Sequence, residues 1–167
     1  MQPFSTALLI ERPLIYATQY ELASIVFSSK ALADLSNGDD RDEFEQLRVR
    51  HEIAMATKLL IELAVIMRNL LDGDSWPMDG IHETRVESRP ETPVGKLLAA
   101  GKTSQLPFRE ACNKLIHSER VSFGMADLPG KMAHLDGTVE VHGRKNSKEW
   151  IATIQVADFI RMATRQL

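Results

Sequence analysis

From Leu14 to about Leu35 apolar residues return at helical spacing, as Leu14, Ile15, Leu22, Ile25, Val26, Phe27 and Leu32. This is the pattern of a helix with one buried face. Pro13 suits its first turn, where a missing N–H is harmless, and Ser36-Asn37-Gly38 breaks it. Asp39, Asp40 and Asp42 then supply a cap and the acids favoured at a helix N-terminus, so a long helix is predicted over about 42–71. From Leu59 onward this helix is apolar on more than one side, with Glu62, Arg68 and Asn69 as interruptions. Such a helix is either central in a bundle or buried on two sides, by its own chain and by a second subunit. The reading favours the second.

Residues 73–93 contain three prolines and Trp76 with little periodicity, and read as an irregular flap or cover. Pro93 opens a short predicted helix that runs to Ala99 or Ala100, where Gly101 stops it. Pro107 opens another. There Phe108, Ala111, Cys112, Leu115 and Ile116 gather on one side, and Glu110 and Lys114 form an ion pair on the other. After a mixed segment over 118–137, Thr138 to Gly143 alternates apolar and polar, and Trp150 to Val156 is rich in β-branched residues. With Arg144 to Lys148 as the turn, this predicts one β-hairpin over 138–156, which needs a surface to pack on. Asp158 to Leu167 reads as a final helix. The expectation is a mainly α fold: a single domain over 1–167, built as a helical bundle around the long helix, with the hairpin as a small C-terminal appendage.

Composition narrows the class. The 167 residues suffice for one sizeable core, and the hydrophobic fraction of 44% with 26% charged is that of a soluble protein. A net charge of −3 gives no global pull toward nucleic acid, so any such contact must come from a local patch or one shared by two subunits. Cys112 is the single cysteine, which excludes an intramolecular disulfide, and its place on the buried helix face reads as packing. Met1-Gln2-Pro3-Phe4 is no secretory start. Glu62 and Arg68 interrupt the best candidate for a membrane span. A cytoplasmic location is expected.

Chemistry concentrates in the Pro107 helix. Arg109, Asn113 and His117, four apart, form a stripe on the seam between its core and solvent faces. A guanidinium, an amide and an imidazole in line can hold an anion or phosphate. The same residues also suit structural work, with Arg109 on an acid, Asn113 on a loop and His117 as a cation at the helix C-terminus. His51-Glu52-Ile53-Ala54-Met55 falls short of a zinc pattern, because Met55 stands where the second histidine would be. No glycine-rich phosphate loop or serine elbow occurs, and Arg144, Lys145 and Lys148 read as a solvated loop tip. No metal or cofactor is expected.

The run Arg109-Glu110-Ala111-Cys112-Asn113-Lys114-Leu115-Ile116-His117, behind a long helix, resembles the HEPN superfamily of helical domains, many of them metal-independent RNA-cleaving toxins or defence nucleases. The family motif is an arginine followed by a polar residue and then, four to six residues on, a histidine. Here seven residues separate Arg109 from His117, and Glu110 follows the arginine in place of asparagine. The resemblance implies a homodimer in which both stripes face one cleft. His117 would act as general acid or base on RNA, Arg109 would hold the phosphate, Asn113 would orient either, and Lys114 and Arg120 would add RNA contacts. It also implies a toxin or phage-defence role with a neutralising antitoxin-type partner. The alternative from a different class is a non-catalytic module of the same build that binds a partner protein or a nucleotide.

Overall fold

A computed structural model describes residues 12–36, 38–72, 92–127, 129 and 132–167. The two long predicted helices are present as α1 (Arg12–Leu35) and α2 (Glu43–Asp72). They pack on each other, with Ile15, Leu22 and Val26 of α1 and Leu59, Leu60, Leu63 and Met67 of α2 in the core. The chain continues as β1 (Gly95–Ala99), β2 (Lys102–Leu106), α3 (Phe108–Ile116), β3 (Arg120–Ala126), β4 (His134–Lys145), β5 (Lys148–Gln155) and α4 (Val156–Arg165).

The fold is therefore α+β, and the expectation of a mainly α, all-helical bundle with a hairpin appendage is corrected. The strands form one five-stranded antiparallel sheet in the order β2-β1-β5-β4-β3, of which the predicted hairpin is only the middle. The short helix predicted from Pro93 is strand β1. Its Leu97-Leu98-Ala99-Ala100 run has helical propensity, but pairing with β5 on one side and β2 on the other overrides it. Ala100 and Gly101 take positive φ values of 50° and 74°, which make the tight turn between β1 and β2. Within the mixed segment lies β3, irregular between Phe123 and Met125. Except for its last two residues, the 73–93 connection falls outside the described residues, as do residues 1–11.

Alternation along each strand gives the sheet two different faces. Val139, Val141, Trp150, Ala152 and Ile154 are buried on the face that meets the helices. Phe108 of α3 and Phe159 of α4 lie in the same core, their ring centroids 5.0 Å apart. Of the apolar excess of α2, assigned from sequence partly to a second subunit, Leu59, Leu60, Leu63, Ala64, Ile66 and Met67 are buried within the chain, where α2 packs against both α1 and α3, while Val65 stays exposed. The opposite face of the sheet is covered by none of the described elements, as antiparallel sheets allow.

Candidate functional site

Helix α3 starts at Pro107 and ends at His117, whose backbone N–H bonds the Asn113 carbonyl at 3.1 Å. Its seam is turned toward the end of α2. Arg109 pairs with Asp72, and Arg68, also paired with Asp72, donates through Nε to Asn113 Oδ1 at 2.6 Å. Asn113 in turn donates to Glu110 at 3.3 Å. Arg109 and Asn113 are thus brought together, but as part of a polar clamp that fastens α3 to α2. His117 lies beyond them at the exposed C-cap, roughly 12 Å along the helix from Arg109 at 1.5 Å per residue. Lys114 is mostly buried, 4.3 Å over the Trp150 ring and 3.3 Å from Glu110. Arg120 belongs to β3 and stands on the uncovered sheet face.

That face holds a second polar group, which strand register builds. Arg120 pairs across the sheet with His142, His142 with Ile151, Ile151 with Leu98 and Leu98 with Thr103, one row through all five strands. The next row reads Ser122, Glu140, Thr153, Lys96 and Gln105. Arg120 Nη2 lies 2.8 Å from His142 Nε2 and 3.3 Å from Nδ1, and Glu140 Oε1 lies 2.5 Å from Nε2. With Nε2–H donating to Glu140, Arg120 can donate only to Nδ1, and its 2.8 Å approach to Nε2 is then a contact between two donors and no hydrogen bond. Beside them Arg144 Nε donates to Glu119 at 3.1 and 3.2 Å, which holds its guanidinium still more firmly protonated than usual. Arg120, His142, Arg144, Glu119 and the Ala99–Gly101 turn surround a depression of about 650 Å³, floored in part by Leu98 and Ile151 and flanked by Glu149.

Among the predicted residues, only Arg120 takes part in this group. Glu119, Glu140, His142, Arg144, Leu98 and Ile151 were not singled out as a site from sequence. The available signal was the period-two spacing of Thr138, Glu140, His142 and Arg144, which places all four on one sheet face. Among the described residues no group of three or more His, Cys, Asp or Glu side chains can hold a metal, and no helix is long and apolar enough to cross a membrane. Family models, curated proteins and solved structures offer no match to this chain.

Proposed function

We propose that the chain is a binding module for a ribonucleotide unit, free or within single-stranded RNA, and that it binds on the uncovered face of the sheet. The observation that supports this reading is the row in which Arg120 and His142 continue directly into Ile151 and Leu98. A nucleotide presents the same sequence of demands: a phosphate for guanidinium, hydroxyls for acceptors, and a flat apolar surface. Arg120 and Arg144 answer the first, Glu119, Glu140 and Glu149 the second, and Leu98 with Ile151 the third. A depression of about 650 Å³ is within the range of small-ligand sites. The mixture of acids and bases suits a nucleoside phosphate better than a simple anion. Exposed ion pairs of this kind are held weakly, so they exchange readily for a ligand.

The test is fluorescence anisotropy with a labelled six-nucleotide single-stranded RNA, with the unlabelled mononucleotide as competitor. Arg120→Ala is expected to weaken binding about tenfold, close to 1.4 kcal/mol, while Arg109→Ala leaves it unchanged. Loss of binding in Arg109→Ala with Arg120→Ala unaffected would return the site to α3. Competition by the mononucleotide at comparable concentration identifies the free nucleotide as sufficient.

A second reading keeps the metal-independent endoribonuclease. It is favoured by the contiguity of Glu140, His142 and Arg120, a carboxylate, an imidazole and a guanidinium at hydrogen-bond distance. In that reading Glu140 fixes the imidazole tautomer, Arg120 turns from Nδ1 to the phosphate, and the freed Nδ1 takes the proton of a ribose 2′-OH as its oxygen attacks phosphorus and the 5′-oxygen leaves, protonated from water. Cleavage in EDTA that is lost in His142→Ala but kept in His117→Ala is the result it requires.

A further inference from the structure

Beside the row of Arg120, His142, Ile151 and Leu98, the depression holds a shorter row that the nucleotide reading has not yet divided. Two residues nearer the β4–β5 turn, about 6.7 Å along the strands, Arg144 of β4 stands opposite Glu149 of β5. Both line the depression and both are exposed. Opposite charges in direct register across a sheet ordinarily pair. These two do not. Arg144 gives its Nε to Glu119, at 3.1 and 3.2 Å. Its Nη groups and the Glu149 carboxylate make no hydrogen bond among the described residues. The bond to Glu119 is the main reason Arg144 is held so firmly protonated, and Glu149 contributes by charge alone. Side by side, then, stand two uncommitted acceptor oxygens and an uncommitted fork of Nη donors.

Register also sets where each part of a nucleotide would lie. A base over Leu98 and Ile151 puts the sugar over His142 and the phosphate at Arg120, across strands about 4.8 Å apart. The base edge that faces the turn then meets Arg144 and Glu149. Bases differ in what such an edge offers. Guanine carries N2–H₂, N1–H, O6 and N7 in succession, two donors followed by two acceptors. Adenine presents acceptor, donor, acceptor, and so does uracil. Cytosine has one donor beside two acceptors. Two parallel N–H groups suit one carboxylate, and two acceptors suit one guanidinium fork.

We propose that the site selects guanine, with Glu149 accepting from N1–H and N2–H₂ and Arg144 donating to O6 and N7. The glycosidic nitrogen lies just past N7 around the ring, on the side of β4, which returns the sugar to His142. Guanine selection rests on the nucleotide reading of the same site. It gives Arg144 to the base and leaves the phosphate to Arg120.

The test is fluorescence anisotropy with labelled RNA hexamers: hexauridylate, and the same strand with one central guanosine, inosine, adenosine or cytidine. The guanosine strand is expected to bind at least tenfold more tightly than the adenosine, cytidine and all-uridine strands. Inosine, which lacks only the N2 amine, is expected to fall between. In Glu149→Gln, which offers one acceptor in place of two, the ratio of guanosine to adenosine strand is expected to drop to within about threefold. A 7-deazaguanosine strand, without N7, reports on Arg144. It is expected to bind the wild type more weakly than guanosine does, and to match guanosine in Arg144→Gln. Equal binding of all strands would overturn guanine selection and leave the nucleotide reading standing. A guanosine preference that persists in Glu149→Gln would overturn the assignment to Glu149. The inosine arm uses the wild type alone and decides even where the variant fails to fold, because inosine equal to guanosine would also remove Glu149 from the contact. Binding of no strand at all would remove the nucleotide reading, and guanine selection with it.

Discussion

Arg48 and Arg120 stand on opposite sides of the same sheet and show two uses of one side chain. Arg48 is buried, and each of its N–H groups has a protein acceptor spread over α1, α2 and the approach to β4. Arg120 is exposed, and the one side-chain partner it shows among the described residues is His142. The first has nothing left to offer a ligand and ties three segments together. The second is held in place by strand pairing and keeps donors in reserve. Burial and unspent valence, more than residue type, separate a structural arginine from a binding one.

The comparison breaks most visibly at Arg48. Replacing it with Met leaves Glu45 and Glu52 buried without their cation, and breaking such a pair from one side costs about 3–5 kcal/mol. Urea denaturation of Arg48→Met is expected to show that loss, and the triple variant Arg48→Met, Glu45→Leu, Glu52→Leu is expected to recover much of it. A single variant within about 1 kcal/mol of wild type would mean that the cluster is not holding α1, α2 and β4 together.

Gly143 offers the next largest effect, at the boundary between the two faces. A Cβ there would lie 2.2 Å from Trp150 Cζ2, so Gly143→Ala must displace the indole. Trp150 is buried, packs under Lys114 and flanks the sheet depression. Overpacking of this kind costs about 1–3 kcal/mol. Thermal unfolding should report that cost, and weaker RNA binding should accompany it where the displaced ring shifts the β5 backbone that also carries Ile151, part of the floor of the depression. Unchanged stability together with unchanged binding would separate Trp150 from the site.

A smaller effect is a slope. Glu52 has a raised carboxyl pKa in the folded chain, so at pH values between its unfolded and folded ranges the native state binds more proton than the unfolded one. Its contribution is complete below the unfolded pKa and is lost as pH rises through the folded one. Glu52→Gln removes that dependence. Its stability relative to wild type is therefore expected to improve steadily as pH rises from acid toward neutral. A stability difference that stays flat across this range would show that burial of Glu52 is already compensated.

Helical periodicity was enough to find α1, α2, α3 and α4 within a residue or two, because each buries one stripe against the core. The middle hairpin was equally legible, its tight turn taking positive φ at Asn146 and Ser147. Strands β1 and β2 were not. Leu97-Leu98-Ala99 has no β-branched residue, and its extended form rests on pairing with β5 more than fifty positions away. Missing those strands turned a sheet into an appendage and a mixed fold into a helical one. The site followed the same logic. Arg109, Asn113 and His117 were conspicuous because one helix aligns them. Arg120, His142, Ile151 and Leu98 share no local pattern and meet only through the register of four strands.

The smallest expected effect is the one that sharpens the contrast on α3. Arg109 and Asp72 are each nearly half exposed, at 49% and 43%, so their pair stabilises by about 0–1 kcal/mol. Asp72 keeps Arg68 when Arg109 is removed, and Asn113 keeps its bond from Arg68. Arg109→Ala is therefore expected to unfold within 1 kcal/mol of wild type, and His117→Ala, at an exposed helix end, closer still. Neither should alter the anisotropy of the labelled RNA. A large loss of binding or cleavage in either, with stability kept, would mean that the clamp on α2 also serves a ligand, and the stripe would regain the role that its spacing first suggested.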